Sequence, residues 1–149
     1  MNNKYSIEQR QLLSGCLPQL HVLLDRCYSR PPRDVFYRLI EQYRTGFPAW
    51  LARSGDGRII GFIHLAPNSK GGTLETLAVD PDFRHLGIAR ALVNHLLDAT
   101  SGVVSLTTRI PAFFATQGFQ SISVLPDQSV FMIHVHFDRE DLLPSEVIE

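Results

Sequence analysis

The stretch Thr73–Leu97, TLETLAVDPDFRHLGIARALVNHLL, decides how the rest of the chain is read. Leu74 to Val79 form a short apolar run of strand character. The Asp80, Pro81 pair stops it, because both residues favour turns. Arg84, His85, Leu86, Gly87, Ile88 and Ala89 then lead into a segment in which Ile88, Ala91, Leu92, Leu96 and Ala99 recur at helical spacing. The loop is therefore a helix N-terminus. The first turn of a helix has unpaired amides and the positive end of the macrodipole, so a small-residue loop there suits an anion, best of all a phosphate. Gly87 lets the backbone come close to such a ligand. The same strand, loop and helix also occur where nothing binds, so the pattern alone leaves both readings open.

Composition narrows the classes. The 149 residues fit one domain over 1–149, long enough to bury its own core without disulfides or metal. A net charge of −1 and a pI near 6.6 give no basic surplus for non-specific nucleic-acid binding. No apolar run is long enough for a signal peptide or a membrane span, which predicts a cytoplasmic protein. Cys16 and Cys27 lack metal-ligand spacing and are expected as reduced thiols. His134 and His136 share a strand face without a third ligand, and His21, His64 and His95 read as packing or surface residues, so no metal is expected.

In chain order, Tyr5, Ile7 and Gln9 alternate with polar residues as a short strand. Leu17 to Tyr28 reads as a helix through Leu17, Leu20, Leu24 and Cys27, and Arg33 to Thr45 as a second one closed by Gly46. Pro48 to Arg53 and Arg58 to Ala66 are strands joined by a Ser54–Gly57 hairpin turn. Pro67 to Gly72 reads as a loop, and Gly102 as the cap of the Ile88 to Thr100 helix. A strand over Val103–Thr107, a short helix over Ala112–Gln117 and a last strand over Ser129–Phe137 complete the pattern.

Arg84, x, x, Gly87, x, Ala89, following "LAVDPDF", resembles the coenzyme A pyrophosphate loop of the GCN5-related N-acetyltransferase (GNAT) superfamily, whose pattern is Arg or Gln, x, x, Gly, x, Gly or Ala. "LTTRIPAFFATQGF", Leu106 to Phe119, is similar to that family's next strand and helix. The resemblance implies an α/β GNAT fold: a mostly antiparallel twisted sheet of about six to seven strands, splayed around the cofactor, with helices on both faces. It implies an N-acetyltransferase moving acetyl from acetyl-CoA to a primary amine by direct attack in a ternary complex. Leu77, Ala78, Val79, Arg84, His85, Leu86, Gly87, Ile88, Ala89 and Arg90 are then the expected cofactor contacts. Thr107 falls where many relatives carry an Asn that touches the cofactor, and Phe114 is expected to pack against the coenzyme arm.

Within that frame Glu75 is the candidate general base, acting through a water. Simple alternation places it on the same face as Leu77 and Val79; the competing reading is a solvated or arginine-paired carboxylate. Phe114 occupies the position of the family's acidic Tyr, so the acid is missing or comes from elsewhere, with Tyr28, Tyr37 and Tyr43 as open alternatives. Thr107, Thr108, Arg109 with Phe113, Phe114 and Gly118, Phe119 are similar to the acetyltransferase domain of N-acetylglutamate synthases. That similarity implies a small-molecule acceptor such as an amino acid. Arg30 and Arg109, with Arg33, are candidates to clamp its carboxylate, or else solvated arginines. The alternatives are a peptide or protein N-acetyltransferase and a catalytically weak coenzyme A-binding sensor. The family's habits also suggest a homodimer.

Overall fold

A computed structural model of the chain describes residues 4–10, 14–27 and 48–136. At its centre are two strands without a polar face: β2 (Ala49–Ser54) and β3 (Ile59–Asn68) are buried along most of their length. Such strands must be covered on both sides. They pair antiparallel through the expected turn, where Gly57 adopts φ 86° and its N–H bonds to the Ser54 carbonyl at 2.9 Å. With β1 (Tyr5–Arg10), β4 (Gly71–Val79), β5 (Gly102–Thr108), β6 (Gln120–Val124) and β7 (Val130–His136) they make one sheet, in the order β1-β2-β3-β4-β5-β7-β6. Every pairing is antiparallel except β4 with β5. This is the mixed, mostly antiparallel α/β architecture that the sequence implied.

Helices cover both faces. Helix α1 (Leu17–Cys27) presents Leu20, Leu23 and Leu24 to Leu51, Phe62 and Ala78. Helix α2 (Ile88–Asp98) presents Ile88, Leu92, Val93, Leu96 and Leu97 to Trp50, Ala52 and Ile63 on the other side. Each large side chain so buried contributes roughly 2 kcal/mol relative to exposure. A short helix α3 (Pro111–Thr116) adds Phe114 to the second layer, where Phe119 meets it edge-on. The expected helix over Arg33–Thr45 lies outside the described residues, as do Tyr28, Arg30, Arg33, Tyr37 and Tyr43.

Three local expectations are corrected. Pro67 to Gly72 is not a loop: β3 and β4 continue through Pro67↔Gly72 and Asn68↔Gly71, leaving Ser69 and Lys70 as the turn. Pro67 is tolerated because β2 pairs β3 only as far as His64, so β3 is already an edge strand there. Gly102 does not cap α2. Ala99 does, its N–H bonding to the His95 carbonyl while the Thr100 N–H bonds to that of Leu97, and Gly102 opens β5 instead. β6 was not anticipated, because all of its residues are exposed and so carry no buried face to pattern the sequence.

The β4–β5 pairing is short: Gly71↔Val103, Gly72↔Val104 and Thr73↔Ser105. Two glycines permit it. A Cβ on Gly102 (φ 106°) would lie 2.1 Å from the Lys70 carbonyl oxygen, and one on Gly71 (φ 147°) would lie 2.3 Å from that of Val103. Past Thr73 the strands part. There β4 also slips against β3, with Leu65↔Leu74 but His64↔Thr76, so Glu75 is an inserted residue at a bulge.

Gly102→Ala is accordingly expected to cost about 3 kcal/mol or more in chemical denaturation. Gly57→Ala, where nothing lies within 4 Å of the added Cβ, is expected to cost only the left-handed strain of about 1 kcal/mol. A second measurement concerns His64, which is fully buried and stacked on Phe62 at 6.0 Å between ring centroids. Desolvation pushes its pKa down to about 4 from 6.5. The unfolded chain therefore binds a proton that the folded one refuses. Stability is full above about pH 6.5 and falls as the pH drops toward about 4, by about 3 kcal/mol in all. His64→Leu is expected to flatten unfolding free energy over that window.

Candidate functional site

Where β4 ends, the chain turns under tight local control. Asp80 accepts the Asp82 N–H on its own side chain at 2.9 Å, and its carbonyl accepts the Phe83 N–H at 2.9 Å, winding Pro81–Phe83 into one 3-10 turn. The chain then passes through two left-handed residues, His85 (φ 66°) and Gly87 (φ 85°), before α2 starts at Ile88. Gly87 sits at the N-cap with no side-chain hydrogen bond to the first turn. The leading amides of α2 thus point outward without a side-chain cap. A Cβ on Gly87 would meet nothing within 4 Å, so glycine here provides the backbone angle beside open space.

That space belongs to a cavity of about 900 Å³. One wall is Leu77, Ala78 and Val79 of β4, the strand that has separated from β5. Phe83, Arg84, His85 and Gly87 form the rim, and Ile88, Ala89 and Arg90 of α2 continue it. Ile110 and Phe113 also line it, as does Cys27 at the end of α1. Arg84 donates from Nε to the Val79 carbonyl at 3.1 Å, which fixes its stem against the strand. The Cys27 thiol donates to the same carbonyl at 3.3 Å. Burial pushes that thiol up and the Arg84 charge only partly offsets it, so it stays protonated at neutral pH. An apolar cleft along an unpaired strand edge, ending at a cationic helix N-terminus, matches a long ligand with an apolar arm and a phosphorylated end.

The structure thus gathers Leu77, Ala78, Val79, Arg84, His85, Gly87, Ile88, Ala89 and Arg90 on one cavity. The remaining predicted residues lie elsewhere. Leu86 is exposed and off the wall. Thr107 is exposed on β5, also off the wall. Phe114 is buried in the core, and it is its neighbour Phe113 that meets the cavity; successive residues of α3 face different ways, and the core takes Phe114. Glu75 is exposed, and the bulge at that residue breaks the alternation that had put it on the face of Leu77 and Val79. Arg109 is exposed and engaged with Asp127, donating at 3.2 Å to its carboxylate and at 3.1 Å to its carbonyl. Arg30 lies outside the described residues. Sequence reading missed Cys27, Phe83, Ile110 and Phe113; Cys27 alone left a signal, as the last member of the apolar stripe of α1.

Among the described residues, no group of three or more His, Cys, Asp or Glu is placed to hold a metal ion, and no helix is long and apolar enough to cross a membrane.

Comparison with known proteins agrees with this geometry. The sequence model of the acetyltransferase (GNAT) family matches residues 17–119. An amino-acid acetyltransferase of Pseudomonas aeruginosa is 33% identical over 102 residues, covering 64% of this chain but 22% of that protein. The chain thus spans about a fifth of the length of that relative. The peptidyl-lysine N-acetyltransferase YjaB of Salmonella typhimurium is 27% identical over 104 residues, covering 67% of this chain and 66% of YjaB. In fold, the ribosomal-protein-S18-alanine N-acetyltransferase of Escherichia coli superposes with a TM-score of 0.76 at 19% identity, over 94% of this chain and 99% of that one. The Escherichia coli protein YhbS, solved in complex with CoA, superposes at 0.71 with 21% identity, over 90% of this chain and 83% of that one.

The open space at Gly87 gives a direct test. Gly87→Asp places a carboxylate in it and is expected to weaken coenzyme A binding by on the order of 10-fold or more in titration calorimetry. Gly57→Asp, at the same backbone angle but outside the cavity lining, is expected to bind as the unaltered chain does.

Proposed function

The chain belongs to the GNAT acetyltransferase family, and on that footing we propose that it transfers acetyl from acetyl-CoA to the primary amine of a small molecule such as an amino acid. The observation that carries this reading is the cavity itself, with the free edge of β4 along one wall and the uncapped start of α2 at its end. Coenzyme A fits that outline, since its diphosphate suits the amides around Gly87 and its arm suits the β4 edge at Leu77, which no other described strand pairs beyond β3, as an added strand would. The thioester supplies an activated acyl group; this chain's residues have to hold it and receive the amine.

The amine must be neutral to attack. Glu75 is exposed at the bulge where β4 leaves β5, two residues before the cavity lining begins at Leu77, and it is the carboxylate to which we assign proton removal through water. The departing thiolate needs little help, because a thiol titrates near about 8.5. Similarity to an amino-acid acetyltransferase supports an amino-acid acceptor. Similarity to YjaB supports a second reading, a lysine side chain of a peptide or protein.

Release of free thiol from acetyl-CoA, followed across free amino acids and lysine peptides, separates the two. Faster turnover on free amino acids is expected. Binding of acetyl-CoA with no turnover on either panel would point to a nucleotide sensor instead. Glu75→Gln is expected to lower kcat on the order of 100-fold while leaving coenzyme A affinity unchanged; an unaltered kcat removes Glu75 from the reaction.

A further inference from the structure

The end of α1 grips the place where β4 becomes the anion loop, across 54 positions of sequence. Arg26 donates from Nε to Asp80 Oδ2 at 2.8 Å and from Nη2 to Asp80 Oδ1 at 3.1 Å, a two-nitrogen grip on one carboxylate. The same Nη2 reaches Asp82 Oδ2 at 2.7 Å. Asp80 has only 3% of its side chain exposed, whereas Asp82 is 71% exposed. The backbone is held there as well: the Asp80 N–H bonds to the Ile60 carbonyl at 2.8 Å, and Cys27, next to Arg26, bonds to the Val79 carbonyl. On the outer side the Arg58 guanidinium lies over the Phe83 ring at 5.3 Å.

Two of the residues leading into this loop are acidic, although the loop is shaped for an anion. Left alone, the carboxylates of Asp80 and Asp82 oppose a diphosphate placed at Gly87, and the opposition is strongest for Asp80, which water does not screen. Burial works against the charged form of Asp80, yet the Arg26 guanidinium and the Asp82 amide together hold its carboxyl below the ordinary value. The carboxylate therefore stays ionised and its charge has to be cancelled locally.

Resting on the function proposed above, we propose that Arg26 is a positioning residue of the nucleotide site: paired with Asp80 and Asp82, it fixes the Val79–Arg84 turn that presents the anion loop, and offsets the buried Asp80 charge, the one of the two that water does not screen from the diphosphate. It acts through the two aspartates, not by touching the ligand, since the cavity wall includes its neighbour Cys27 and not Arg26. Asp80 has a double part in this: its carboxylate caps the 3-10 turn that aims the chain at Gly87, and only a paired carboxylate can do so beside an anion site.

The test is coenzyme A titration of the full chain by calorimetry, with steady-state kinetics alongside. Arg26→Gln is expected to raise Kd about 10-fold, with kcat at saturating acetyl-CoA within about twofold of the unaltered chain. Adding Asp80→Asn to it removes both charges and keeps a capping side chain, and is expected to bring Kd back to within about threefold. Arg26→Lys, which keeps the charge and loses the two-nitrogen grip, is expected about threefold up and carries the test alone if Arg26→Gln does not fold. An Arg26→Gln or Arg26→Lys chain that binds as tightly as the unaltered one overturns the proposal, and so does an Arg26→Gln defect that neither Lys nor the added Asp80→Asn relieves. An unaltered chain that fails to bind coenzyme A overturns the proposed function and this proposal with it, an outcome distinct from the others.

Discussion

Two strands of this sheet touch and then separate, and the site exists because of it. The contact is at Gly71 and Gly102, where backbone meets backbone at distances that leave no room for a Cβ. The Val103 N–H donates to the Lys70 carbonyl at 2.7 Å in the same place. Among the described residues it is the one parallel pairing in an otherwise antiparallel sheet, and it holds for three residue pairs. Beyond Thr73 the bulge at Glu75 bends β4 away, and bulges are suited to this because the extra residue increases local twist. A strand edge with no neighbour is ordinarily a hazard. Here it opens into a cleft between helices instead of onto a flat surface, so it serves a ligand without inviting another sheet.

The other end of the cleft answers an electrostatic requirement with backbone more than with side chains. α2 begins without a capping side chain, and His85 and Gly87 bend the chain so that its first turn faces the cavity. Of the nearby arginines, Arg84 is tied by its Nε to the Val79 carbonyl, while Arg58 lies over Phe83. The cationic groups are thereby fixed to the same short segment that the acidic residues shape. A turn made from Asp80, Pro81 and Asp82 is a good turn and a poor neighbour for phosphate, and the α1 guanidinium reconciles the two.

Much of this was legible in the sequence because burial and turn chemistry agree there. The apolar run Leu74–Val79, the Asp80, Pro81 stop and the periodic helix after Gly87 each follow from a local rule, while the resemblance to the GNAT loop is what marked residues on them as cofactor contacts. What escaped was set by other parts of the chain. Whether Phe113 or Phe114 meets the cavity depends on how α3 rests on the core, and no spacing rule decides between adjacent residues on so short a helix. The alternation argument for Glu75 assumed an unbroken strand, and a bulge leaves no composition signal. Gly102 looked like a helix cap because glycine serves that end often; the close crossing with Lys70 that in fact demands it joins residues far apart in sequence. Arg26 reads as an exposed charge at the end of a helix until Asp80, 54 positions on, is placed under it.

The acid and base available bear on the acceptor. Among the described residues the only tyrosine is Tyr5, on the outermost strand β1, and the phenylalanines that line the cavity are Phe83 and Phe113. With a thiolate as leaving group, a general acid matters less than the state of the amine, since a thiol ionises near about 8.5 while a lysine titrates near about 10.4 and an α-amine near about 8. At neutral pH the α-amine is therefore neutral roughly two orders of magnitude more often. On the proposed reading, a free amino acid therefore asks less of any base than a lysine side chain does.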